Sequence, residues 1–200
     1  MLHVGIDLSL TSPGLVVRTS DDNLFAYFYP NRKKDIDRNI LISTSDNTTI
    51  FHLQAFSTDL RRVPSLLERY HIIATDLVNT ICKHSMHHTA TLIRMEGYAF
   101  DAKSSSVSKL HELGGIVKYQ LYLQKFTVEE IAPTKLKKWF TGHGRATKED
   151  MYMHAIKGCF PELINTFEMQ ACKGIPNPVQ DIVDAYALVE SLRLHPIKTV

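Results

Sequence analysis

Cysteine is scarce in this 200-residue chain, and the three present (Cys82, Cys159, Cys172) cannot pair off evenly. None has zinc-finger spacing to its neighbours, so a secreted disulfide scaffold is excluded and a reducing, intracellular setting is expected. No apolar run approaches the ~18 residues that span a bilayer, so no membrane is expected as a partner. The opening, MLHVGIDLSL, lacks the basic start and long apolar core of a secretion signal. Internal repeats and linker-like stretches are missing too, which leaves one domain over residues 1–200 as the expectation. The compartment stays open between cytosol, organelle and a virus- or phage-infected cell.

What is present is globular: 44% hydrophobic and 22% charged residues, with a net charge of only +2. The distribution of charge says more than its sum. Residues 103–148 hold eight lysines and Arg145 against Glu112, Glu129 and Glu130, a window of +6 that leaves −4 for the remainder. A basic face beside an acidic centre is what a phosphate-binding surface needs, and a solvated helical face explains the same lysines equally well.

The apolar spacing predicts an antiparallel meander of three short strands from LHVGIDLSL, GLVVRT (14–19) and LFAYFY (24–29). Residues 30–48 are polar and read as an excursion or long loop. TIFHLQAF (49–56) reads as either a further strand or the true third one. Helical spacing then runs from about Thr58 to Ser85 as one long amphipathic helix. TLIRMEGYAF (91–100) is a buried strand, residues 107–124 a helix, and FTVEEIA (126–132) a strand. The pair Gly114-Gly115 inside that helix suggests close approach of another backbone. Further helices are expected over about 133–140 (opened by Pro133), 148–159 (with Thr147 and Asp150 as a capping box) and 179–194. The resulting fold class is α/β, a mixed five-stranded sheet flanked by helices.

Four acids stand out by position. Asp7 ends the first strand and Glu96 the fourth, while Asp181 and Asp184 lie three apart near the start of the last helix, on one face. Asp7 alone reads as a satisfied cap, and Asp181 alone as an ordinary acid at a helix N-terminus. Neither reading covers Asp184, whose neighbours Ile182, Val183, Ala185 and Ala187 are apolar. Converging carboxylates repel unless a cation holds them, and oxygen donors in that number suit Mg²⁺ or Mn²⁺. Two such ions about 4 Å apart serve phosphodiester hydrolysis. Spacing alone therefore points to metal-dependent phosphoryl transfer.

At these residues the chain resembles the Holliday-junction resolvases of the RuvC type, within the ribonuclease H-like superfamily. Five segments carry the likeness: GIDLSLTSPGL (5–15), MEGYAF (95–100), KSSSVSKLHELGG (103–115), APTKLKKWFTGHGRATKEDM (132–151) and QDIVDAYAL (180–188). The fourth is the most specific. The resemblance implies that Asp7, Glu96, Asp181 and Asp184 are catalytic metal ligands for Mg²⁺, with Mn²⁺ as a substitute and two ions per site. It implies that Lys148 steadies the scissile phosphate, and that Lys137 lies near the substrate, with Lys138 as the alternative alignment. Lys103, Ser104, Ser105, Lys109 and Arg145 would join them as DNA contacts, and Tyr98 or Phe100 would supply an aromatic wedge at the junction. It also implies a homodimer, since a four-way DNA junction of near two-fold symmetry takes two symmetric nicks. The implied activity is that of a crossover junction endodeoxyribonuclease in DNA recombination and repair, with no small-molecule cofactor, leaving 5′-phosphate and 3′-hydroxyl ends. The chain departs from the family at its first turn, where Leu8-Ser9 follows Asp7 and Pro13-Gly14 comes later.

Three rivals bracket this reading. A broader branched-DNA nuclease of the same fold, acting on flaps, forks or RNA–DNA hybrids, is poorly separated by sequence. A non-catalytic junction binder has no need of intact acids. An actin-like phosphotransferase shares the G-I-D strand but needs two such domains. His143 reads as a surface or phosphate-contact residue, His87-His88 as a helix-end loop, and Trp139 and Phe140 as core anchors.

Overall fold

Alternating apolar residues at the start of the chain build β1 (Leu2–Asp7), and Pro13-Gly14 turns it back as β2 (Gly14–Arg18) and then β3 (Leu24–Phe28). All three pair antiparallel, as the meander pattern requires. The computed structural model describes residues 1–30, 39–43, 50–97, 105–158 and 178–197. Over these the chain continues as β4 (Asn39–Ser43), β5 (Ile50–Ala55), α1 (Leu66–Ser85), β6 (Thr91–Glu96), α2 (Ser105–Leu123), β7 (Thr127–Ile131), α3 (Pro133–Thr141), α4 (Lys148–Gly158) and α5 (Val179–Leu194).

The strands form one mixed sheet of order β4-β5-β3-β2-β1-β6-β7. Seven strands replace the five expected, for two reasons. β5 is a further strand, parallel to β3, and part of the polar excursion folds back as β4, antiparallel to β5 at the sheet edge. The long helix expected from Thr58 starts only at Leu66. Pro64 disfavours helical backbone at Val63, and the preceding Leu60–Arg62 form a single 3₁₀ turn. Ser65 then caps α1 by accepting the Glu68 N–H at 3.3 Å.

Two cores sandwich the sheet. Leu2, Val4 and Ile6 of β1 face α1 and α2, packing with Ile73, Leu77, Leu113 and Val117. The opposite face of the sheet packs against α3, α4 and α5, through Val16, Ala26, Leu53, Leu136, Phe140, Met151 and Val183. α5 is buried from Val179 to Leu192, with only Asp184 half-buried, so its sequence is apolar nearly all round. Arg94, on the α5 side of β6 and 1% exposed, locks the far end of that helix. It donates to Ser191 Oγ and to the His195 carbonyl, each at 2.9 Å, and pairs with Glu129 on β7. Its guanidinium also lies over the Trp139 ring of α3.

Of the expected pair, Gly115 makes no close backbone approach, while two strand glycines do. A Cβ on Gly115 would meet nothing within 4 Å, whereas one on Gly5 would stand 2.1 Å from the Ala185 carbonyl oxygen of α5. One on Gly14 would stand 2.3 Å from the Asp181 carbonyl oxygen. Hydrogen atoms at positions 5 and 14 are what let α5 lie directly on β1 and β2. Gly5→Ala therefore forces helix and sheet apart, and overpacking against backbone is expected to cost about 3 kcal/mol. Thermal unfolding should drop by at least about 6 °C. Gly115→Ala, filling open space within a helix, should raise stability by up to about 1 kcal/mol in the same assay.

Candidate active site

Strand register brings the first two acids together. β1 and β6 run parallel with Ile6 opposite Met95, so Asp7 and Glu96 follow side by side at the C-terminal ends of neighbouring strands. Alternation turns both toward α5, because Ile6 and Met95 point into the other core. The Gly14 contact with Asp181 then seats the start of α5 against the strand pair, since Gly14 lies opposite Asp7. Asp181 and Asp184, on one face of that helix, complete the group.

The electrostatics follow from burial. Asp7 is held well above the ordinary carboxylate range, first by desolvation and then by Asp184, Glu96 and Asp181, with Lys148 opposing. Glu96 is pushed up to about 7 by burial and by Asp184, against Lys137 and Lys148. Asp181 also rises to about 7, through burial and Asp184, although Ser12 hydrogen-bonds its carboxylate. Asp184 is raised by burial, an effect opposed by the Gln180 amide, which donates to Oδ2 at 2.8 Å, and by Lys148 and Lys137. The four acids thus act on one another electrostatically as one cluster.

Two of the expected lysines face it. Lys148 acts on all four carboxylates and Lys137 on Glu96 and Asp184. Lys138, the alternative, is exposed and has no such effect on the acids, so the half-buried Lys137 is the one that fits. Local structure explains both placements. Pro133 starts α3, and Gly142, at φ +87° in the left-handed region, ends it by donating its N–H to the Lys138 carbonyl at 3.0 Å. Thr147 and Asp150 form the expected capping box: Thr147 N–H donates to Asp150 Oδ2 at 2.8 Å, and Asp150 N–H to Thr147 Oγ1 at 3.1 Å. That box sets Lys148 in the first turn of α4.

The remaining basic residues disperse. Lys109 is exposed on α2, Lys118 pairs with Glu130 at 2.8 Å, and Lys135 lies over the Trp139 ring. Arg145 is exposed in the loop before α4. Tyr98, Phe100, Lys103 and Ser104 lie outside the described residues, as does the side chain of Ser105. Phe140 is a core residue as expected, and Trp139 is half-buried, stacked on His195 at 4.1 Å. Sequence reasoning missed Ser12 and Gln180. The i, i+4 spacing from Gln180 to Asp184 was a readable signal; Ser12 had none.

The donor set fits a hard divalent cation. It offers only carboxylate oxygens, concentrates negative charge, and includes a buried oxygen, Asp181 Oδ2, with no hydrogen-bond partner. Among the described residues no group of three His, Cys, Asp or Glu side chains is already closed to coordination spacing.

Raised carboxylates make stability fall with rising pH. Between the unfolded value near 4 and the folded value near 7, the native state holds more protons than the unfolded chain, so each unit of pH upward favours unfolding. In chelator, the wild-type chain should lose stability from pH 5 to 8. Asp181→Asn should unfold at least about 3 °C above wild type at pH 8, a gain that shrinks toward pH 5. Parallel curves for the two proteins across that range would refute the coupling.

No family model matches the sequence, and no curated protein matches it. Solved structures do match the fold. Thermus thermophilus RuvC is similar with a TM-score of 0.56 and 17% identity, covering 98% of this chain and 95% of that one. The same bacterial protein in complex with a Holliday junction substrate gives a TM-score of 0.55 at 14% identity, covering 98% and 97%. The yeast mitochondrial Holliday junction resolvase Ydc2 gives 0.52 at 12% identity, covering 97% of this chain and 81% of that one. The chain therefore shares the α/β fold of these solved structures.

Proposed function

We propose that the chain is a structure-selective endonuclease that resolves four-way DNA junctions by metal-dependent phosphodiester hydrolysis, as one nuclease domain. The observation that carries this reading is the cluster of Asp7, Glu96, Asp181 and Asp184 with Lys137 and Lys148 beside it, on a RuvC-type fold. Neither part suffices by itself.

Asp7, Glu96, Asp181 and Asp184 would hold Mg²⁺ or Mn²⁺, two ions in the full site. The chemistry such ions would supply there is activation of a water and charge stabilisation at the leaving 3′-oxygen. Gln180 fixes one oxygen of Asp184 and Ser12 hydrogen-bonds Asp181, so each acid keeps an oxygen for the centre. Lys148 and Lys137 add positive charge where the phosphate gains negative charge in the transition state. Arg145, Lys109 and the residues around Lys103 would position the arms through backbone contacts, which carry shape rather than sequence.

Paired cuts in a two-fold substrate call for two centres, and a homodimer would supply them. An apolar hollow of about 720 Å³ between α1 and α2 supports that part of the reading. It is lined by Leu67, Tyr119 and Leu123, with Tyr122 exposed nearby. Faces of this kind mark association surfaces on soluble proteins.

The test is cleavage of a labelled immobile four-way junction, a flap and a linear duplex in Mg²⁺. Paired symmetric nicks in the junction alone are expected, and Asp7→Asn should lower that rate by at least about 10³-fold, because several kcal/mol of charge stabilisation depend on the site. Equal cutting of flaps would make the protein a broader branched-DNA nuclease. Junction binding without cutting in either metal would leave a binding protein.

A further inference from the structure

The lysine window between residues 103 and 148 does not exhaust the positive surface. Two hollows adjoin on the α3–α4–α5 side of the sheet, of about 370 Å³ and 340 Å³, and they share His154 and Lys157 of α4. The first is also lined by Arg18, Glu190 and Arg193, the second by His143, Arg145 and Asp150. Together they make a trough that begins beside the α3–α4 loop and ends at the C-terminal end of α5.

The acids in this trough are already engaged. Glu190 pairs with Arg18 and, at 3.0 Å, with Arg193. Asp150 is taken up by the capping box of α4. Arg145 and Lys157 have no ion pair among the described residues, and Arg193, at 54% side-chain exposure, keeps donors available beyond its bond to Glu190. The trough is therefore a lane of net positive charge with its guanidinium anchored from behind. Guanidinium and ammonium groups so placed suit phosphate oxygens.

Lys157 lies nine residues beyond Lys148 in α4, about two and a half turns, so the two side chains leave opposite faces and the trough runs along the face of α4 turned away from Lys148. We propose that the trough formed by Lys157, Arg193 and Arg145 binds the sugar-phosphate backbone of a duplex arm outside the catalytic centre. This rests on the nuclease reading above and adds to it a second phosphate contact, beyond the reacting one, set by Lys157 and Arg193.

The test is equilibrium binding of a fluorescent four-way junction across about 50 to 200 mM salt, with Ca²⁺ in place of Mg²⁺. Lys157→Gln with Arg193→Gln should weaken binding at least about fivefold, to the same degree for arms of different sequence, and flatten the salt slope by about 2. Lys157→Arg with Arg193→Lys, which keeps both charges, should retain the wild-type slope. Wild-type affinity and slope in the double glutamine variant overturn this inference alone. A wild-type chain that binds neither branched nor linear duplex overturns it together with the nuclease reading.

Discussion

The contact of α5 with the sheet at Gly5 and Gly14 is the constraint on which the site depends. Two acids sit at strand ends and two on a helix far away in sequence, and only backbone-to-backbone packing brings the pairs into mutual electrostatic reach. A side chain at either glycine would intrude on a carbonyl of α5, at Ala185 or at Asp181 itself. The burial of the helix from Val179 to Leu192 follows from that seat, and the polar residues of that stretch gather where Gln180, Asp181 and Asp184 meet the strand ends and where Glu190 and Ser191 meet Arg18 and Arg94. The molecule spends hydrophobic packing on holding like charges together.

That arrangement has an electrostatic cost which local structure partly offsets. Burial and mutual repulsion raise all four acids, and Lys148 and Lys137 oppose the rise. A lysine in the first turn of a helix meets the positive end of the helix dipole, an unfavourable place unless a stronger negative field lies nearby. The capping box at Thr147 and Asp150 holds the helix start regardless, and the left-handed Gly142 turns the chain so that α3 and α4 present one lysine each. Strongly perturbed acids grouped with placed cations mark a functional centre better than any one of them does.

Much of this was legible in the sequence because it rests on local rules. The meander, the helices opened by Pro133 and by the Thr147–Asp150 pair, and the last helix at 179–194 all follow from periodicity and caps. The four acids could be picked out by position at strand ends and on a helix face. What could not be read depends on tertiary contact. Asn39–Ser43 lies in a polar stretch and becomes a strand only by pairing with β5. The start of α1 was masked by apolar spacing that continues through Pro64. Gly115 is open to space, whereas Gly5 and Gly14, which let the helix approach, sit in strands, where nothing local announces them. Lys137 and Lys138 are adjacent in sequence, and only the rotation of α3 separates them.

The central claim is that this carboxylate cluster exists to hold divalent metal, and metal-dependent stability tests it without reference to any substrate. Thermal unfolding of the wild-type chain and of Asp184→Asn should be followed at pH 8 in chelator and in rising Mn²⁺ or Mg²⁺. Ligand at a hundredfold over its dissociation constant adds about 2.7 kcal/mol, so the wild-type transition should climb by roughly 5–11 °C while the variant barely moves. A wild-type transition that is the same in chelator and in metal would contradict the account.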